Sequence, residues 1–258
     1  MKPVVASVPY LNAKPLVYHL LQDDSVVLVY DVPSRLPALV DAGRAAVAMA
    51  SSFDAIRTPG RKVVAGVSIS SKVQVESVRL FSKVPFHDIR TLALDRSSLT
   101  SNHLAQILLA ELHGVVAETQ TAPPEIERML AEYDACVLIG DKGLMSEYPE
   151  AHVMDMGAAW HDLTGLPFVW AMWIGGEQLD GPLANRLREA KEWGIAHMEA
   201  VIPWASEETG IPLATCSSYL QNTMSFDLDE EHLASLEAYA DYLKKHGFVQ
   251  SPEPVVPI

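Results

Sequence analysis

Cysteine is scarce in this chain: two residues, Cys136 and Cys216, among 258. A pair so far apart has neither the spacing of a redox or zinc motif nor the density of a disulfide scaffold. Cys136, inside an apolar run, reads as a small buried hydrophobe. Cationic residues are also few, 19 Lys and Arg against 33 Asp and Glu, for a formal net charge of -14. That balance argues against nucleic acid or an anionic membrane as partner, since both require a basic surface. It admits a small anion, because one site can be locally positive within an acidic field. No apolar run is long enough to span a bilayer, and the opening Met1-Lys2-Pro3-Val4-Val5-Ala6 does not lead into a secretory signal. A cytoplasmic protein is expected. Gly-x-Gly-x-x-Gly, the P-loop, His-Glu-x-x-His and Gly-x-Ser-x-Gly are all missing, so nucleotide, zinc and serine-hydrolase readings have no support. The nine histidines show no ligand spacing, and no metal is expected.

What is present is an ordinary globular composition, 49% hydrophobic and 20% charged, on a chain long enough for one large domain or two modest ones. Its most informative stretch is Asp95-Arg96-Ser97-Ser98-Leu99-Thr100-Ser101-Asn102-His103-Leu104. The apolar run Thr91-Leu92-Ala93-Leu94 delivers it, and Leu104, Ile107, Leu108 and Leu112 follow at helical spacing. A strand, a hydroxyl-rich turn and a helix N-terminus are predicted. The first turn of a helix has unpaired N–H groups and a partial positive charge, which attract carboxylate or phosphate. One cap needs one hydroxyl, whereas Ser97, Ser98, Thr100 and Ser101 crowd this turn. An anion site is expected there.

Other strand ends repeat the theme. Residues 4–8 read as a strand broken by Pro9, and Asn12 then opens a helix with Pro15 in its first turn. Asn12 is an N-cap or a ligand contact. Residues 26–30 and 46–50 are further strands, and Ser51 and Ser52 follow the latter directly. Residues 75–82 alternate as a strand should, placing Ser77, Arg79 and Phe81 on one face. Arg79 either neutralises a ligand carboxylate or pairs with a surface acid. Residues 135–139 form a central strand whose end, Gly140-Asp141, opens another turn into a helix. His103 either faces this turn or projects into solvent. Trp160, Trp170 and Trp173 are expected in the core, as is the apolar return strand at 165–173. Long helices are expected over 182–201 and 230–246, with residues 219–228 as a loop or short strand and a loosely ordered tail after Ser251. The alternation of strands and helices implies an α/β fold with mostly parallel sheets. Two lobes are expected, the second inserted in the first: residues 1–85 plus 172–258, and residues 86–171, with a ligand cleft between them.

Taken together, four stretches resemble the chorismate dehydratase family of the futalosine route to menaquinone. They are Ser7-Val8-Pro9-Tyr10-Leu11-Asn12-Ala13-Lys14-Pro15-Leu16, Ser68-Ile69-Ser70-Ser71 through Ser77-Val78-Arg79-Leu80-Phe81-Ser82-Lys83-Val84-Pro85, Leu138-Ile139-Gly140-Asp141, and Leu163-Thr164-Gly165-Leu166-Pro167-Phe168-Val169. The resemblance implies a type II periplasmic-binding-protein fold and a hydro-lyase that converts chorismate into 3-[(1-carboxyvinyl)oxy]benzoate. It implies no cofactor, because aromatisation drives the elimination, and a small dicarboxylate as the only partner. No signal for an oligomeric state is present. Asn12 and Ser77 fall on the family's functional asparagine and serine, and Thr100-Ser101 on its substrate-binding pair. Ser51, Ser52, Ser98, Gly140 and Asp141 complete the expected site. Two alternatives stay open: the sister lyase that forms dihydroxynaphthoate with a catalytic histidine, and a non-catalytic carboxylate-binding protein on the same fold.

Overall fold

In a computed structural model, which describes residues 2–258, the strands fall into two sheets. The first is opened by β1 (Val4–Ser7), β2 (Val27–Tyr30), β3 (Val47–Ser51) and β4 (Lys62–Ser71). The second contains β5 (Arg79–Ser82), β6 (Thr91–Asp95), β7 (Glu118–Ala122), β8 (Ala135–Leu138) and β9 (His152–Asp155). The chain then returns to the first sheet with β10 (Phe168–Gly175) and β11 (Met224–Ser225). The strand orders are β11-β4-β10-β3-β1-β2 and β7-β6-β8-β5-β9, so the second lobe is inserted in the first.

Both sheets are mixed rather than mostly parallel. β1 pairs parallel with β2 and β3, and β6 with β7 and β8. By contrast β10 runs antiparallel to both of its neighbours, as β5 does to its own, and β11 runs antiparallel to β4. β5 and β10 are laid down as the chain passes between lobes, outside any βαβ crossover that would force parallel pairing. Their sheet membership also moves the lobe boundaries. β5 belongs to the second lobe and β10 to the first, so the chain crosses at residues 72–78 and 156–167, not at 85/86 and 171/172.

One continuous apolar core runs through both lobes, joining Val5 and Ala48 of the first sheet to Leu80, Leu92 and Val137 of the second. Trp160 and Trp173 are fully buried within it. A smaller cluster behind the second sheet packs Phe81, Cys136 and Leu138 against Met129 and Leu130. Burial pushes the Cys136 thiol up to about 12, which leaves it inert at neutral pH. The segment 182–201 is two helices, Gly181–Ala196 and Met198–Thr209. They are separated at His197, whose backbone leaves helical geometry while its imidazole bonds the Trp193 carbonyl at 2.8 Å. The tail is docked rather than loose. Glu253 N donates to Ile56 O, Ile258 N donates to Val63 O, and Ala65 N donates back to Ile258 O. Among the described residues no helix is long and apolar enough to cross a membrane.

Gly194 shows how close the first lobe's packing is. It sits on the Gly181–Ala196 helix where that helix meets Pro15, and a Cβ there would overlap the Pro15 carbonyl. Alanine is worth about 1 kcal/mol over glycine in a helix interior, but overpacking costs about 1–3 kcal/mol and here strikes backbone. Gly194→Ala should therefore lower the midpoint of urea unfolding. An unchanged or raised midpoint would show that the crossing relaxes freely.

Candidate functional site

The expected residues converge on the line where the lobes meet. β1 ends at Ser7, Pro9 just beyond it has no N–H to continue the ladder, and the chain folds into a short 3-10 turn, Leu11–Ala13. Asp141, from the helix Gly140–Met145 of the other lobe, accepts the Leu11 amide at 2.8 Å and so fixes this turn across the cleft. Gly140 is required beside it. Its φ is +58°, and a Cβ would stand 2.9 Å from the Tyr10 ring.

β3 ends in Ser51, and β6 leads through the serine turn into the helix Thr100–His113. The Thr100 hydroxyl reaches over to the first lobe, 2.6 Å from Ser51 Oγ and 3.2 Å from Ser52 Oγ. It also accepts the Phe53 amide at 3.4 Å and lies 3.3 Å from the Trp170 carbonyl. Thr100 is thus a clasp between lobes. Ser98 plays the plain capping part, its hydroxyl accepting the Ser101 amide at 3.2 Å. The Ser97 amide and hydroxyl both donate to Asp95, whose carboxyl burial raises above the usual range. Ser101 differs from these: its hydroxyl makes no hydrogen bond among the described residues, although the residue is buried.

Between these elements lies a cavity of about 60 Å³, lined by Tyr10, Asn12, Ser51, Ser98, Thr100, Ser101, Gly140 and Trp170, with apolar walls from Met49, Ile69 and Val78. By volume it holds only a few waters in this arrangement of the lobes. No charged side chain lines it. Its polarity comes from hydroxyls, a carboxamide and the positive end of the Thr100–His113 helix. The Asn12 Oδ1 atom is buried without a hydrogen-bond partner, a state that proteins seldom tolerate outside a working site.

Ser77 is on the first lobe crossing, not on a strand; it is buried and does not itself line the cavity, although the next residue, Val78, does. Its amide closes a tight turn on Val75 O at 2.6 Å, and Glu76 before it takes a φ of +58°. Asp155 holds the turn. Its carboxylate accepts the Val75 amide at 3.1 Å and the Glu76 amide at 2.7 Å, while also capping the helix Met156–Thr164 through Gly157 and Ala158. The Ser77 hydroxyl is 2.6 Å from the phenol oxygen of Tyr219.

Several residues stand elsewhere than the sequence suggests. Ser52 lies behind the cavity wall, bonded to Thr100. Asp141 faces the cleft mouth with Arg35, Arg96 and Lys142, and burial raises its carboxyl pKa. Arg79 does not face a ligand: its guanidinium donates to the carbonyls of Gly143, Leu144 and Ser146, closing the C-terminal end of a helix. His103 is neither in the site nor in solvent. Its ring stacks on Phe53 at 3.9 Å and meets Phe248 at 4.9 Å, its Nδ1 bonds the Leu99 carbonyl, and burial lowers its pKa. Among the described residues no three His, Cys, Asp or Glu side chains are grouped for a metal ion. The sequence does not mark Tyr10, Asp155 or Tyr219 as site residues, and Trp170, expected in the core, also lines the cavity. Tyr10 had a signal in its place after Pro9, at the strand end, whereas Tyr219 lies more than a hundred residues from the serine it touches.

Comparison with known proteins follows the same outline. A family model described as menaquinone biosynthesis matches residues 3–245. A protein of Thermus thermophilus named chorismate dehydratase is 28% identical over 270 residues, covering 94% of this chain and 96% of that one. Among solved structures, a protein of Archaeoglobus fulgidus superposes with a TM-score of 0.77 at 16% identity, covering 95% of this chain and 98% of its own. The periplasmic aliphatic sulphonate binding protein SsuA of Escherichia coli does so with a TM-score of 0.67 at 15% identity, covering 98% and 89%. At these identities the structures speak for the two-lobed binding-protein fold alone.

The Asp141 carboxyl yields a test of the cleft's electrostatics. Because its pKa is raised in the folded state, folding favours the protonated form. The associated stability is present below the ordinary carboxylate pKa and is lost as pH rises through the folded value. Asp141→Asn keeps an acceptor for the Leu11 amide and removes the buried charge. Its melting temperature should exceed that of the parent at pH 7, and the two should converge below about pH 4. A variant less stable at pH 7 would show that the carboxylate's pairing outweighs its burial.

Proposed function

The chain belongs to the menaquinone biosynthesis family, and from that premise we propose that it is a chorismate dehydratase, a lyase working in the cytoplasm. The reaction removes the C3 proton and the C4 hydroxyl of chorismate, giving 3-[(1-carboxyvinyl)oxy]benzoate and water. The observation that carries this reading is the uncharged, hydroxyl-lined cavity between the lobes, whose wall holds no carboxylate, amine or imidazole. Such a site suits a substrate that brings its own base. The enolpyruvyl carboxylate takes the C3 proton, the electrons of that bond form the ring double bond, and the C4–O bond breaks. The departing oxygen receives the proton as water, which restores the carboxylate. Aromatisation supplies the driving force.

The protein's part is orientation and charge stabilisation. Ser101, whose hydroxyl is otherwise unused, and the first amides of the Thr100–His113 helix hold one carboxylate. Thr100 keeps the lobes registered, since its hydroxyl is already engaged with Ser51 and Ser52. Asn12 Oδ1, buried and unpartnered, accepts from the substrate's C4 hydroxyl, and Ser77 donates to the same oxygen as it leaves. The sister lyase reaction is less well supported, because His103, the histidine nearest the serine turn in sequence, is stacked on Phe53 rather than aimed at the cavity.

Purified protein incubated with chorismate should produce, by mass spectrometry, a species lighter by one water that is missing from the control without protein. Asn12→Ala and Ser77→Ala should each lower kcat by roughly 100-fold, the scale of removing one donor aimed at developing charge. Unchanged chorismate with folded protein would overturn the dehydratase reading. Full turnover in both variants would overturn the residue roles alone.

A further inference from the structure

Tyr219 opens a π turn, Tyr219–Thr223, between the helix Leu213–Ser218 and β11. Turns of this kind are rare and concentrate at functional sites. Both of its ends grip the first lobe crossing. Tyr219 Oη lies 2.6 Å from Ser77 Oγ, and Thr223 Oγ1 donates to Glu76 Oε1 at 2.8 Å. The crossing therefore has its backbone held from one side by Asp155 and its side chains from the other by the π turn.

Either oxygen of the Tyr219–Ser77 pair can be the donor, and both residues are 1% exposed. A buried O–H must find an acceptor. The Asn12 side chain stands beside the same phenol. With the serine donating, the phenol proton turns toward Asn12. With the phenol donating to Ser77 Oγ, the serine's own proton is available to a third group. Asn12, beside the phenol and with its unpartnered Oδ1 at the cavity wall, marks the side on which that group lies. Consistent with a neutral donor, burial holds the phenol far above its ordinary pKa against the opposing influence of Ser77 and Asn12.

Resting on the dehydratase reading, we propose that Tyr219 is the positioning residue of Ser77: its phenol fixes the serine hydroxyl as a one-way donor aimed at the oxygen that leaves the substrate. No bond to Tyr219 is made or broken. Its contribution is to abolish the rotamers in which the Ser77 proton points back into the core.

The experiment is a cycle of Tyr219→Phe, Ser77→Ala and the double variant, assayed with chorismate alongside the parent. Tyr219→Phe keeps the ring and should lower kcat roughly tenfold, with KM changed less than twofold, since the bond acts on the leaving oxygen rather than on ground-state binding. The double variant should be no slower than Ser77→Ala, because without the serine hydroxyl the phenol has nothing to orient. A merely structural tyrosine would instead multiply its loss onto that of Ser77→Ala and lower the melting temperature in proportion. Independently of how Tyr219→Phe folds, the ring-carbon resonance of Tyr219 in protein labelled at the phenol carbon should shift in Ser77→Ala. Parental kcat in Tyr219→Phe, multiplicative losses, or an unmoved resonance would each overturn the assignment while leaving the dehydratase reading intact. A parent protein without dehydratase activity would remove both.

Discussion

One carboxylate ties both passages of the chain between its lobes. Asp155 stands at the end of β9, where the second lobe is finished and the return helix begins. It accepts the amides of Val75 and Glu76 from the outgoing passage and those of Gly157 and Ala158 from the returning one. Hydrogen bonds to an ionised acceptor are about twice as strong as neutral ones, and four converge here. The strained turn that carries Ser77 persists because this anchor and the π turn overdetermine it. Lobe geometry and side-chain aim are thus set by the same atoms.

The two sides of the cleft are joined by neutral contacts of a different kind. Thr100 with Ser51 and Ser52 forms a small hydroxyl cluster that needs no ion pair, and Asp141 adds a charged contact by accepting the Leu11 amide. A chain of net charge -14 thus has a cavity whose wall carries no charge of that sign. Acidic side chains are kept from the cavity wall, and the local field is set by a helix end and oriented dipoles. A sulphonate binding protein shares this fold, so the architecture alone does not separate binding from catalysis.

Much of this was legible in the sequence, and the boundary of legibility has a physical cause. The serine turn, the strand ends at Asn12 and Ser51, and the Gly140 turn were readable because each is a local pattern: an apolar run, a breaker, a capping residue. The two-lobed insertion followed from their order and from the family resemblance. What escaped were relations between distant segments. For Arg79 the sequence leaves a ligand carboxylate and a surface acid equally open, yet the guanidinium takes neither: it is consumed by carbonyls at the end of the Gly140–Met145 helix. His103 was ambiguous until Phe53 and Phe248 were placed around it. Tyr219 and Asp155 carry no local signature at all, since a phenol in a loop-like stretch and an acid at a strand end are commonplace.

The docked tail has a further consequence. β4 is flanked by β10 on one side, and its other side is met by β11 near Ser70 and Ser71 and by the last residues of the chain near Val63. An edge that would otherwise present bare N–H and C=O groups is covered at both ends by the protein's own C-terminal part. Only β2, four residues long, leaves that sheet unpaired on its outer side among the described residues. Residues 257–258 thereby occupy, from within, part of the hydrogen-bonding row that a neighbouring chain would otherwise use as a template.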